Sequence, residues 1–300
     1  MQLVERVCSA TLFCVMVGVA VLGATPPDAQ ASSGFTNGQG VDACGYPSGS
    51  DLNALWSGTP FFDFGYYVGG AEAAAGGCAP WTSSTRITAR NIGWGFTPLW
   101  DDLQAPTGCG PIVNGKRITF AARMSINTTT AFNQGVTAGN NALAAMANAG
   151  FASYDNVWLD IEGYDRTQTS CKAAVNSYVN GYSSVTSSSG GVYGSSSGSG
   201  VSDWWTIAHP PWGVWMAWTG GTVNSVWNIT SVSNTKWVPD RRIHQYRTSQ
   251  HKVVVSMTHG YDVDCLNTWA DQGALFDNDS SETDENASPT AEAVCLGTAQ

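Results

Sequence analysis

Short apolar runs rich in aromatic and β-branched residues alternate along this chain with stretches of helical period. Residues 38–44 read as a first strand, and a helix covering residues 51–56 opens at Ser48 or Ser50. "FFDFGYYVGG", residues 61–70, and "GFTPLWDDLQ", residues 95–104, are the next two strands. From Thr129 to Gly150, Phe132, Val136, Gly139, Leu143 and Met146 recur at steps of four and three, which predicts an amphipathic helix with that face inward. "NVWLDIEGY", residues 156–164, is a fourth strand, followed by a helix on which Cys171, Val175, Tyr178, Tyr182 and Val185 share one face. "GGVYGS", "WGVWMAWT", "RRIHQYRT" and "HGYDVDCL" supply four more strands.

Eight strands with helices between several of them predict an α/β fold, a (β/α)8 TIM-like barrel. The pattern is weak after the second, fifth and sixth strands, so some helices are expected to be replaced by loops. Ahead of the barrel, Arg6, the apolar run of residues 11–24 and the small residues Ala29 to Ala31 predict a signal peptide over residues 1–31. The barrel domain is expected over residues 32–269. Residues 270–300 read as an acidic, poorly ordered tail, because seven acids and no Lys or Arg fall between Asp271 and Glu292.

Between residues 32 and 267 the chain has fourteen acids against twelve bases, so the body is almost neutral. No basic surface is available for a nucleic acid. The expected product is a secreted protein of the extracellular space or cell envelope, with no stable membrane anchor once the leader is cleaved, and a monomer. Six cysteines remain after the leader, and their even number in an exported chain predicts disulfides. Cys78 with Cys109 and Cys44 with Cys265 are the pairs expected from loops on neighbouring strands, with Cys171 left to tie down Cys295.

The chemistry is expected where acids fall at strand ends: Asp42, Asp160 with Glu162, and Asp262 with Asp264. Positions i and i+2 share a face of a strand, roughly 6.6 Å apart. Close carboxyls in a partly dry site push one of the pair to hold its proton, as glycoside cleavage requires. A structural pairing of these acids with Arg241 or Arg242 is the competing reading. A calcium or magnesium site built from the acids, and a Ser196 nucleophile in "GSSSG" with one of the four histidines, are weaker alternatives. No metal or cofactor is expected.

The ordered set "GVDACGYPSGSDLNALW", "YYVGG", "VWLDIEGYD", "GGVYGS", "VWMAW", "RRIHQY" and "YDVDCL" resembles the glycoside-hydrolase-like barrel domain of secreted actinobacterial cell-envelope proteins. That domain is similar to the family 25 glycoside hydrolases, lysozymes that cleave peptidoglycan between N-acetylmuramic acid and N-acetylglucosamine. The resemblance spans about residues 39–267 and implies action on a cell-wall glycan with N-acetyl sugars, or a catalytically silent barrel that binds one. It makes Glu162 the proton donor and Asp160 the ionised neighbour that positions the acetamido group. Asp42, Asp264, Gln245, Tyr246, Tyr193 and Trp218 become substrate-binding residues, Trp218 by stacking on a sugar face. Two features depart from the pattern: Asp101 and Asp102 on the third strand, and the insertion "APTGCGPIVNGKR" expected over the mouth.

Overall fold

The computed structural model describes residues 33–45, 47–59, 61–153, 155–196, 200–218, 225–238, 241–250 and 261–271, with backbone alone for 33–38, 247–250 and 261–271. The expected leader and most of the expected tail lie outside the described residues.

All eight expected strands form, and they close into a barrel. In chain order the elements are β1 (Ser33–Ala43), α1 (Gly49–Gly58), β2 (Asp63–Gly69), α2 (Ala71–Gly76), α3 (Ser83–Ile92) and β3 (Gly95–Trp100). A small hairpin follows, β4 (Ile112–Val113) with β5 (Lys116–Arg117), then α4 (Thr128–Asn148), β6 (Val157–Ile161) and α5 (Thr169–Thr186). The chain completes the barrel with β7 (Gly190–Ser195), α6 (Val201–Trp204), β8 (Gly213–Ala217), β9 (Arg241–Gln250) and β10 (Tyr261–Asp271). Around the barrel the order is β1-β10-β9-β8-β7-β6-β3-β2.

Seven strands run parallel, but β10 is antiparallel to both β1 and β9. The direction is the first correction to the sequence reading. Asp262 and Asp264 therefore lie toward the beginning of a reversed strand. Their backbones still reach the mouth, since Asp262 pairs with Asp42 and Asp264 with Gly40 and Gln245. β10 also continues to Asp271, past the expected barrel limit, and pairs there with Phe96 at the start of β3.

Alternation along each strand sorts side chains between two cores. Leu99, Trp158, Trp215 and Ile243 fill the barrel interior. Their neighbours Leu159, Ile161, Val192, Val214 and Met216 face the helices in the larger outer core. Gly191 makes room for the interior tryptophan, because a Cβ there would come within 2.1 Å of the Trp158 ring.

α1 opens as expected, with the Ser48 side chain accepting from the Asp51 N–H. α4 also forms where expected but is rotated. Its buried residues are Ala131, Gly135, Ala138, Gly139, Ala142 and Met146, while Phe132, Val136 and Leu143 are only half-buried. The reason is a backbone-to-backbone contact with α5: a Cβ on Gly135 would lie 2.0 Å from the Tyr178 carbonyl oxygen, and one on Gly181 2.1 Å from that of Phe132. Close approach, not side-chain bulk, sets this face. α3, which the apolar pattern did not indicate, starts with a capping box between Thr82 and Thr85.

The disulfides differ from those expected. Cys44 bonds Cys78, with Cα atoms 4.9 Å apart, and Cys109 bonds Cys171, at 5.4 Å. Cys265 lies opposite Gln39, five residues below Cys44 on β1. At about 3.3 Å per residue that offset exceeds the reach of a disulfide. Cys78, just beyond α2, folds back to the loop after β1, which frees Cys109 for the first turn of α5.

Candidate functional site

The residues two places beyond the interior tryptophan layer form a polar ring at the C-terminal end of the parallel strands. Asp42 on β1, Tyr67 on β2, Asp101 just after β3, Asp160 on β6, Tyr193 on β7 and Gln245 on β9 contribute to it. A chain of bonds runs along one side. The Tyr193 hydroxyl donates to Gln245 Oε1 at 3.0 Å, and Gln245 Nε2 donates to Asp42 Oδ2 at 3.0 Å. On the other side, the Tyr67 hydroxyl donates to Asp160 Oδ2 at 3.2 Å.

Asp160 is 1% exposed, and its Oδ1 has no hydrogen-bond partner among the described residues. Burial pushes its carboxyl well above the ordinary range, and the negative charges of Glu162 and Asp101 push the same way, against the Tyr67 hydrogen bond. This direction runs against the expected ionised Asp160, since desolvation favours its protonated form. Asp101 is raised to about 8, first by burial; the Gln104 hydrogen bond opposes this and the Glu162 charge adds to it. Burial likewise raises the Tyr67 hydroxyl, with the field of Asp160 reinforcing it.

Glu162 falls one residue beyond the end of β6 and is exposed. It therefore does not sit beside Asp160 as a buried twin on one strand. Gln104 holds the two segments together. Its Nε2 donates to Asp101 Oδ1 at 2.7 Å and to the Asp160 carbonyl at 2.8 Å, and its Oε1 accepts from the Glu162 N–H at 3.0 Å. Nothing in the sequence marked this neutral, fully buried side chain. The "DDLQ" run was visible only as a departure, and its two acids part company: Asp101 turns inward, while Asp102 accepts from the Ala71 N–H and the Tyr178 hydroxyl.

Of the expected substrate-binding residues, the structure brings Asp42, Tyr193 and Gln245 together with Asp160. The side chain of Asp264 lies outside the described residues. Trp218 and Tyr246 fall on the other face of the sheet. Trp218 stacks on His244 with ring centres 5.8 Å apart, and the Tyr246 hydroxyl donates to Gln39 Oε1 at 3.0 Å. Alternation explains the split, because Gln245 points inward and its neighbours His244 and Tyr246 outward. His244 is bonded between the carbonyls of Trp218 and Ser225, and burial lowers its pKa. Ser196 Oγ donates to the Ala217 carbonyl, and no described histidine is its partner. Arg242 is spent on the carbonyls of Val226, Ser233 and Lys236 at the other end of the barrel, so it does not pair with Asp160.

The insertion after β3 is strapped beside the mouth. Cys109–Cys171 joins it to α5, and Arg117 donates to Asp165 Oδ2 at 3.0 Å. Glu72 accepts from the N–H groups of Ala121 and Ala122 at its far end.

A closed barrel with acids and tyrosines around its C-terminal mouth has the layout expected of the resembled glycoside-hydrolase-like domain. The family model for the Rv2525c-like, glycoside hydrolase-like domain matches residues 54–266. The chain belongs to that family, as its ordered motifs indicated. Among solved structures it is similar to the Tat-secreted protein Rv2525c of Mycobacterium tuberculosis in complex with L-tartrate, at 17% identity and a TM-score of 0.50, covering 77% of this chain and 96% of that one. An uncharacterized B. stearothermophilus protein matches at 12% identity and a TM-score of 0.47, over 76% of this chain and 95% of that one. A glycosyl hydrolase 25 of Streptococcus pneumoniae, the virulence factor GHIP, matches at 14% identity and a TM-score of 0.42, over 77% and 87%. A search of curated proteins found no match.

Proposed function

We propose that this barrel is a secreted glycosidase that cleaves a cell-wall glycan containing N-acetyl sugars, muramidase-like, by acid catalysis at the ring of carboxyls. The observation that carries the reading is Asp160, a buried proton-holding carboxyl beneath the exposed Glu162 and beside Asp101. Interacting carboxyls share their protons, so the cluster keeps at least one at neutral pH. Glu162 is the member that substrate can reach, and it delivers that proton to the leaving oxygen. Asp160 lies beneath Glu162 with its Oδ1 buried and without a hydrogen-bond partner among the described residues, which favours its serving as the store of that proton. A 2-acetamido sugar supplies its own nucleophile, so no second ionised carboxylate is required at the covalent-attack position. Secretion is supported by two disulfides and by the Tat-secreted neighbour.

A catalytically silent binding barrel has one observation in its favour, the near-complete occlusion of Asp160. Release of new reducing ends from purified peptidoglycan separates the two. Glu162→Gln should lower that release by on the order of a hundredfold or more while leaving co-sedimentation with the polymer intact. Release unchanged in Glu162→Gln sinks the assignment; binding without release by the wild type favours the silent barrel.

A further inference from the structure

The two acids by which the third strand departs from the resembled pattern separate, and only Asp101 enters the acid ring. Asp102 faces the other way, into a groove of about 350 Å3 between its own segment and the first turns of α4, lined by Asp102, Leu103, Thr130, Asn133, Gln134 and Thr137. The groove therefore lies directly behind the mouth, one residue along the chain from Asp101. Thr130, Asn133 and Thr137 are exposed, and Asp102, Leu103 and Gln134 are half-buried. The volume falls at the lower end of the range for small-ligand sites and fits a short branch, not the backbone of a polymer.

Asp102 is fixed by two neutral donors. Its Oδ1 accepts from the Ala71 N–H at 3.1 Å and its Oδ2 from the Tyr178 hydroxyl at 3.3 Å. An ionised carboxylate has about four acceptor sites, so roughly half of them remain open. No cation pairs with it among the described residues, and none of the described lining residues is Lys, Arg or His. The surroundings are negative as well, since Glu162, Glu72 and Asp102 all act on Asp101 in the same direction. Across the groove, side-chain amides have capacity to spare. Gln134 Oε1 accepts from the Ser125 N–H, which leaves its Nε2 to donate. The Asn133 side chain has no hydrogen bond among the described residues and offers both a donor and an acceptor. The Thr130 and Thr137 hydroxyls donate to Asn127 Oδ1 and to the Asn133 carbonyl, so toward a ligand they are acceptors.

We propose that this groove binds a primary ammonium carried on a short peptide branch, the ammonium against Asp102 and the peptide groups against Asn133 and Gln134. A half-buried carboxylate without a cation favours a charged donor, because a charge-assisted hydrogen bond is about twice as strong as a neutral one. The amides and hydroxyls match the alternating donors and acceptors of a peptide backbone. A sugar ring would call for an aromatic face, and none of the described lining residues is aromatic. A calcium ion takes about six to eight oxygen ligands, whereas this lining has one carboxylate. That the branch hangs from a cell-wall glycan rests on the proposed function, but the preference of the groove for an amine does not. A polymer crossing the mouth would drop such a branch over the rim formed by residues 101–104.

The test uses the full chain labelled with nitrogen-15, titrated with the peptide Ala-Lys-Ala blocked at both ends, which carries one ammonium, and with the same peptide acetylated on its lysine amine. The charged peptide should move the side-chain amide signals of Asn133 and Gln134. Its dissociation constant should rise on the order of tenfold on acetylation and in Asp102→Asn, and should rise with salt. Asparagine at position 102 keeps both neutral contacts, accepting from the Ala71 N–H and donating to the Tyr178 oxygen. Asn133→Ala, at an exposed site, should weaken binding several-fold and serves as the check where Asp102→Asn does not fold. Equal affinity for the two peptides, unchanged affinity in either folded variant, or these signals moving with N-acetylglucosamine or calcium while the peptide leaves them still, would each overturn the inference. Release of reducing ends without groove binding removes the groove alone, and groove binding without release leaves it standing and removes the proposed activity.

Discussion

Asp101→Asn should make the protein more stable at neutral pH, by an amount the structure bounds. The native Asp101 carboxyl is raised from 3.8 to about 8. Between those values the native chain keeps a proton that the unfolded chain has released. Stability from this group is therefore complete below about pH 4 and is lost as pH rises through about 8, at about 1.4 kcal/mol for each pH step. At pH 7 the loss is at most about 4 kcal/mol, a ceiling because solvent reaches part of the group. Asparagine keeps the Oδ1 that accepts from Gln104 Nε2 and has no proton to lose. At about 2–4 °C per kcal/mol, the variant should melt at most roughly 8–16 °C above the wild type at pH 7 and close to it at pH 4. Melting curves of both proteins from pH 4 to 8.5 measure this. Parallel pH profiles for the two proteins would refute the buried, proton-holding Asp101.

Gln104→Leu strands three polar partners, the Asp101 carboxyl, the Asp160 carbonyl and the Glu162 N–H, so it should cost about 2–4 kcal/mol and lower turnover more than binding, as urea unfolding and reducing-end assays would register. Gln104→Glu, which keeps one acceptor, should recover only the contact to the Glu162 N–H. Removing the Cys109–Cys171 bond, which closes a loop of 62 residues, should destabilise by about 4 kcal/mol on the chain-entropy account and speed proteolysis within residues 105–120; an unchanged melt and digest would show the insertion to be held by Arg117 and Glu72 alone.

The strands were legible because each carries its own apolar run between turn residues. The direction of β10 was not, since alternation looks the same whichever way a strand runs. The inward face of α4 was misjudged for a related reason: hydrophobicity ranks Phe132 and Leu143 above Gly135, whereas the helix pair is decided by how near two backbones can come. In the mouth, Asp42 and Asp160 were legible as acids at strand ends, while Tyr193 and Gln245 came from the resemblance. Asp101 stood in plain view but was set aside as a departure of the third strand from the resembled pattern, and Gln104 gave no signal, because an uncharged side chain on an irregular segment has neither period nor charge to betray it. Trp218 and Tyr246 came from the resemblance, whereas period alone would have sent Tyr246 outward from Gln245.

The reversed closing strand has a further consequence for how the molecule can be used. Ser33 and Asp271 are partners at the end of the β1–β10 ladder, and Asp271 also meets Phe96 where β3 starts. Both ends of the described barrel therefore leave from one pole, the pole away from the acid ring. An enzyme or anchor fused at either end hangs behind the domain, like a handle behind a cup, and leaves the open side free to meet a polymer. An all-parallel barrel of eight strands would have brought its last strand out at the rim, where any such attachment would stand in the path of what enters.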